Sequence, residues 1–225
     1  VHDVAFLFFQ EYFSPLLRKW LTIATERGIK RAKKVIAVSE TTRQDILAYY
    51  EVAPDKVVTI HHGVHEGFRP ASQEDIARIR KVYQIDGAYI LCVGTLQKRK
   101  NLPRLLQAFY MLKQKYEIPH KLVLVGAKFE NLPEGGVFST IERLFLQEEV
   151  IWTGYADGQD IPALLSGATI SAFPSLYEGF GMPILEAMSC GVPVVCSNTS
   201  SFPEVAGDSS VMFDPYSVES MVQVL

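Results

Sequence analysis

Two short stretches, Ile90-Leu91-Cys92-Val93 and Leu122-Val123-Leu124-Val125, are apolar at every position rather than at alternate ones. A strand covered on one face would alternate, so these two are expected to lie in a parallel sheet with helices on both sides. Comparable β-rich runs predict strands at 35–38, 57–61, 89–93, 122–125, 150–153, 169–173 and 193–196. Helical periodicity falls between them, at 15–33, 41–50, 73–83, 103–115, 140–145, 161–165 and 182–190. The fold class is therefore α/β, with a doubly wound sheet.

Composition narrows the function. A chain of 225 residues with 48% hydrophobic content can build a substantial core. Its net charge of −3 lacks the basic footprint of a nucleic-acid binder, and no apolar run reaches the ~18 residues of a membrane span. Cys92, Cys190 and Cys196 form no CxxC pair, which argues against a disulfide framework or a structural zinc site. They read as buried free thiols in a reducing, cytosolic compartment. The opening Val1-His2-Asp3 has no initiator Met, and helical spacing of Val218, Met221, Val222 and Leu225 runs to the last residue. The chain is expected to be a piece of a longer protein, with Met221, Val222 and Leu225 forming an exposed apolar strip.

The stretch HEGFRPASQED, 65–75, lacks periodicity and marks a boundary. Residues 1–66 are expected to be the trailing part of one domain, and 67–225 a nearly complete second one. Ligands of open α/β sheets bind outside the carboxyl ends of the strands. Four such ends are candidates: CVGTLQKRKN with Gly94 and Thr95, LVGAKFE with Gly126, WTGYADG with Tyr155, and FPSLYEGFG.

In the first of these, Lys98, Arg99 and Lys100 stand just ahead of a helix predicted to be capped by Asn101. Cations there oppose the helix dipole unless an anion lies among them, although the triplet also fits a solvated basic loop. In YEGFGMPILE, Gly179 and Gly181 allow close backbone approach, and a helix from Met182 aims its positive end at the same place. Glu186, one turn on, suits two vicinal hydroxyls such as those of a ribose. Glu178 suits hydroxyls at the other end of the ligand or a developing cation. A ligand with hydroxyl–phosphate–hydroxyl layout reconciles two acids with a phosphate site.

The spacing of Glu178 and Glu186 within PSLYEGFGMPILEAMSCGVPVV closely resembles retaining family-4 glycosyltransferases of the GT-B fold. KVIAVSETTRQDIL, VVTIHHGVHEGFRP, CVGTLQKRKNLPRLLQAF and VIWTGYADGQDIPALLSGATISAFPS are similar to further family segments, in family order. The resemblance implies that Arg99 and Lys100 bind the donor diphosphate, Glu186 the ribose, and Glu178 the region of the donor sugar. It implies that Phe180, Gly181 and Met182 line the donor, and that His2 is the active-site histidine; by itself His2 reads as a core or loop residue. Many relatives carry Arg where Thr95 stands, which shifts charge neutralisation towards Arg99. The RKN triplet tilts the donor towards GDP-mannose, with a glycan or lipid-linked acceptor.

Fixed charge at the leaving diphosphate would then replace a divalent metal, for which no acidic D-x-D cluster is present. Front-face attack and double displacement through Glu178 both remain open, as do a nucleotide-sugar epimerase and a non-catalytic nucleotide-binding fragment. A dinucleotide dehydrogenase is poorly supported, because no G-x-G-x-x-G follows an early strand. Arg18, Lys19, Arg27, Lys30, Arg31, Lys33 and Lys34 cluster on and after one helix, fitting either a solvated face or contact with an anionic membrane.

Overall fold

A computed structural model describes residues 1–128 and 136–225. Phe129 and Glu130, the end of the predicted Gly126 loop, lie outside the described residues. Among the described residues there are two parallel sheets. The first pairs β1 (Val35–Ala37) with β2 (Val57–Thr59), Val35 opposite Val57. The second holds β3 (Tyr89–Val93), β4 (Lys121–Val125), β5 (Val150–Gly154), β6 (Ile170–Phe173), β7 (Val194–Ser197) and β8 (Val211–Phe213). Its spatial order is β5-β4-β3-β6-β7-β8. From β3 the chain winds outward one way through β4 and β5, then returns to β6 and winds the other way. The reversal lies between β3 and β6, paired through Ile90 and Ile170.

In chain order the helices are α1 (Ala5–Phe8), α2 (Pro15–Arg31), α3 (Glu40–Tyr49), α4 (Gln73–Val82), α5 (Leu102–Tyr116), α6 (Val137–Arg143), α7 (Ile161–Ser166), α8 (Met182–Ser189), α9 (Phe202–Ala206) and α10 (Val218–Val224). The expectation of two covered faces holds residue by residue. Tyr89, Leu91, Val123 and Val125 enter one apolar cluster with side chains of α4, α7 and α8. Ile90, Cys92, Leu122 and Leu124 enter another with side chains of α5, α6 and α10. Alternate residues of one strand thus serve opposite cores, which requires an apolar residue at every position. A third cluster joins Val4, Phe6, Ile29, Val35, Ala37 and Ile46 around the small sheet.

Several elements differ from expectation. The helix predicted at 140–145 is α6, which starts earlier after Gly136 and ends before Phe145 turns left-handed at φ +54°. Strand β8 and helices α1 and α9 form outside the expected elements. Asn101 does not cap α5 with its side chain, because it too is left-handed, at φ +57°. Its amide instead donates to the Pro215 carbonyl at 2.7 Å and accepts from Arg104 at 2.8 Å. The apolar strip of the last helix is not exposed. Met221 is fully buried, and Val222 and Leu225 pack against the cluster that contains Leu105 and Phe213.

Candidate functional site at the sheet reversal

A crevice outside the strand ends is expected where an open α/β sheet reverses its winding. Here the loops that follow β3 and β6 meet. Gly94, Gly126 and Gly154 end three neighbouring strands, joined by Gly94 N–H to the Val125 carbonyl and Gly126 N–H to the Gly154 carbonyl. Gly126 has to be glycine, since a Cβ there would sit 2.0 Å from the Gly94 carbonyl oxygen. This contact turns the β3 loop across the sheet edge, where Lys98–Lys100 form one 3-10 turn ahead of α5. The Leu176 N–H donates to the Arg99 carbonyl at 2.7 Å and ties this loop to the one after β6.

That tie brings the charges together. Arg99 Nη1 lies 2.8 Å from Glu178 Oε2, and Lys100 Nζ lies 2.6 Å from Glu178 Oε1. Their side chains are 19%, 14% and 11% exposed, so the pairs are largely shielded from water. Burial alone would raise the Glu178 carboxyl, but Lys100 and Arg99 outweigh it and hold the group below the ordinary carboxylate range. The backbone of Glu178 is fixed as well: its N–H donates to Ser200 Oγ, and its carbonyl accepts from Ser200 and Ser201 hydroxyls. The anions among the basic triplet are therefore carboxylates of the chain itself, Glu178 for Arg99 and Lys100 and Glu11, at 3.1 Å, for Lys98.

Glu186 behaves differently. It stands in the second turn of α8, half-buried, and its carboxylate has no hydrogen-bond or ion-pair partner among the described residues. Burial raises its pKa. Gly181 opens α8 at φ +104°, and a Cβ there would strike the Phe202 ring at 2.7 Å. At Gly179, however, the space is taken by the chain: a Cβ would lie 1.9 Å from the His2 carbonyl oxygen. The Gly179 carbonyl accepts from Ser39 Oγ at 2.5 Å and Thr42 Oγ1 at 3.0 Å. This glycine admits the N-terminal segment, in place of the ligand approach that the sequence suggested for it.

The remaining expected residues are distributed unevenly. His2 is exposed, and its ring stacks on His62 with centroids 5.2 Å apart. Phe180 is buried against His61 and His62 at 5.7 and 5.3 Å. Thr95 follows Gly94 in the β3 loop and Met182 opens α8, both partly buried. Tyr155, 79% exposed, follows the edge strand β5, two strand spacings or about 10 Å from β3. The structure thus joins Arg99, Lys100 and Glu178 directly and sets Tyr155 apart.

Other residues at the site escaped sequence reasoning. Tyr177 donates its hydroxyl to Asp45 Oδ2 at 2.8 Å, rests its ring on Phe8 at 5.0 Å, and accepts from Arg99 through its carbonyl at 3.1 Å. Burial, then Asp45, pushes the Tyr177 hydroxyl up, so it stays a neutral donor. Glu204 of α9 accepts from the Glu40 N–H at 2.7 Å, at the start of α3, and lies 2.6 Å from His61 Nε2. Separations of 132 and 164 residues leave no local pattern to reveal these contacts. The acid of Pro-Glu204 and the pair His61-His62 were the only signals.

Among the described residues no group of three or more His, Cys, Asp or Glu side chains converges to hold a metal ion. No helix of the described residues is long and apolar enough to cross a membrane. Among the described residues, one cavity of about 500 Å³ lies beside Arg69 and Asp75, one of about 620 Å³ beside Lys81 and Asp86, and one of about 690 Å³ is lined by His2, Phe6, Leu21 and Ile29.

Comparison with known proteins bears on the family and the fold. The family model described as glycosyl transferases group 1 matches residues 75–225, and that of glycosyltransferase family 4 matches residues 1–67. The O-antigen chain mannosyltransferase B of Escherichia coli is 33% identical over 98% of this chain and 58% of its own length. An MMP alpha-(1->4)-mannosyltransferase of Mycolicibacterium hassiacum is 28% identical over 94% of this chain and 49% of its own. The chain thus spans about half the length of these relatives. Anabaena HepE, solved in complex with UDP and glucose, superposes with TM-score 0.79 at 23% identity, over 96% of this chain and 57% of that one. Sucrose-phosphate synthase from Thermosynechococcus elongatus does so with 0.79 at 21% identity, over 99% and 56%. The chain belongs to the group 1 glycosyltransferases and has the GT-B fold.

Proposed function

We propose that the protein transfers mannose from GDP-mannose to a glycan or lipid-linked acceptor, with retention of anomeric configuration. The observation that carries this reading is the meeting of Arg99, Lys100 and Glu178 at the sheet reversal, with Glu178 eight residues ahead of Glu186, which has no partner among the described residues. The mannosyltransferase names of its relatives supply the sugar.

In this reading the diphosphate lies between Arg99, Lys100 and the N-terminus of α8, where negative charge grows as the bond to the anomeric carbon breaks. Preorganised charge at such a position is the largest catalytic term in many enzymes. Glu186 accepts from the ribose hydroxyls; burial raises its pKa, and no donor among the described residues offsets that. Gly94, Thr95 and Gly126 form the backbone floor, Phe180, Gly181 and Met182 the wall, and Tyr155 reaches the base. His2 faces the acceptor side. Glu178, ionised and paired with two cations, is a weak nucleophile, which favours front-face attack over double displacement.

The acceptor side has a surface suited to an anionic membrane. On α2, Leu16 (82% exposed), Trp20 (63%) and Ile23 share one face with Arg27, followed by Lys30 and Arg31. Interfacial helices combine such apolar and basic residues. A lipid-linked acceptor fits that placement, at the inner membrane face.

The test is the full chain incubated with GDP-mannose, UDP-sugars and membrane-extracted acceptors, with products read by mass spectrometry and their anomeric configuration by NMR. Mannose on the acceptor in the donor's configuration supports the reading. Conversion of free UDP-sugar without an acceptor would overturn it in favour of an epimerase.

A further inference from the structure

The arrangement of Glu178 carries a consequence for binding that rests on the proposed donor site. The cations that would hold a diphosphate are already paired with an anion. Both ion pairs are shielded, and the backbone of Glu178 is locked by Ser200 and Ser201. Arg99 is fixed further by Gln97 Oε1 at 3.1 Å and the Tyr177 carbonyl at 3.1 Å. Lys100 packs its terminal atoms under Gly94. Neither cation has to move far to exchange one anion for another.

We propose that Glu178 is a built-in counter-ion: it positions Arg99 and Lys100 and competes with the nucleoside diphosphate for them. A competing anion weakens binding of donor and product alike. The donor can offset that loss through contacts to its sugar, whereas the product has lost them. Glu178 therefore favours release of the spent nucleoside diphosphate, a step that limits turnover in many enzymes. It also neutralises two largely shielded cations, which would otherwise lack a counter-charge there.

Removing the carboxylate while keeping its shape leaves both cations facing the site. In Glu178→Gln, GDP and inorganic pyrophosphate should bind about tenfold more tightly at low salt, since interactions across a few Å are strong at low effective dielectric. The gain should shrink at high salt because screening weakens it. Glu178→Asp, which keeps the charge, should stay within about twofold of the natural protein, well short of that gain.

The experiment is calorimetric titration of GDP and of pyrophosphate into the full chain and both variants at two salt concentrations, with circular dichroism to confirm folding. Tighter binding by the Gln variant for both ligands, with a steeper salt dependence, is the expected result. Unchanged or weaker pyrophosphate binding by a folded Gln variant overturns the counter-ion role. If that variant does not fold, tighter pyrophosphate binding by the Asp variant than by the natural protein does so. Should the natural protein bind no GDP while the Gln variant still gains pyrophosphate, the donor-site reading fails and the counter-ion role stands.

Discussion

Replacing Glu186 by Gln separates binding from stability, because this carboxylate has no partner among the described residues to lose. A hydrogen bond to a charged group contributes about 1.5–3 kcal/mol, and a neutral one about 1. Two vicinal ribose hydroxyls donating to Glu186 would lose their charge assistance in the variant, while the Gln carbonyl keeps one neutral acceptor. The net loss is then at least about 2 kcal/mol, or roughly 30-fold or more in GDP affinity. The fold should behave oppositely. A carboxyl whose pKa is raised by burial is less favourable when ionised in the folded chain than in the unfolded one, so its charge destabilises the fold at neutral pH. Glu186→Gln should therefore leave Tm unchanged or slightly higher. The assay is calorimetry with GDP and its 2′-deoxy analogue on both proteins, beside thermal melts. If the deoxy analogue loses the same factor on the variant as on the natural protein, Glu186 does not hold the ribose.

Other outcomes follow from the same contacts. Arg99→Ala should weaken GDP far more than guanosine, as read by calorimetry, and should lower Tm only modestly, since Glu178 keeps its pair with Lys100; equal loss for both ligands would mean that Arg99 does not meet the diphosphate. Gly179→Ala should drive the His2 carbonyl off the loop and destabilise by about 1–3 kcal/mol in urea melts, a scale typical of forced overpacking. Glu178 is held below its usual value of 4.5, so the stability it contributes is complete above that pH and is lost as pH falls towards the depressed value. Acid melts of Glu178→Gln should lack that part of the decline. Trp20→Ala with Leu16→Ala should abolish sedimentation of the full chain with anionic vesicles and leave its binding to GDP unchanged.

The sheet was legible because burial on both faces writes itself into consecutive residues, as in 90–93 and 122–125. The β8 strand was hidden by its length of three residues between polar loops, and α9 by Pro203 within five. Asn101 carried a cap signal, yet its left-handed backbone turned the side chain towards Pro215. The apolar spacing of α10 marks a helix, but the burial of Met221 depends on α5, about a hundred residues earlier in the chain. At the site, the glycines and acids around 178–186 stood out. That Glu178 would pair with Arg99 and Lys100, and that Gly179 would receive His2, depends on contacts between segments about 80 and 177 residues apart.

The central claim is that the diphosphate binds where the β3 and β6 loops meet. A crystal structure of the full chain with GDP tests it most directly. The account predicts phosphate oxygens within hydrogen-bond distance of Arg99, Lys100 and the first N–H groups of α8, with ribose hydroxyls on Glu186. Phosphates bound instead beside Arg69 and Asp75, or in the cavity lined by Phe6, Leu21 and Ile29, would contradict it.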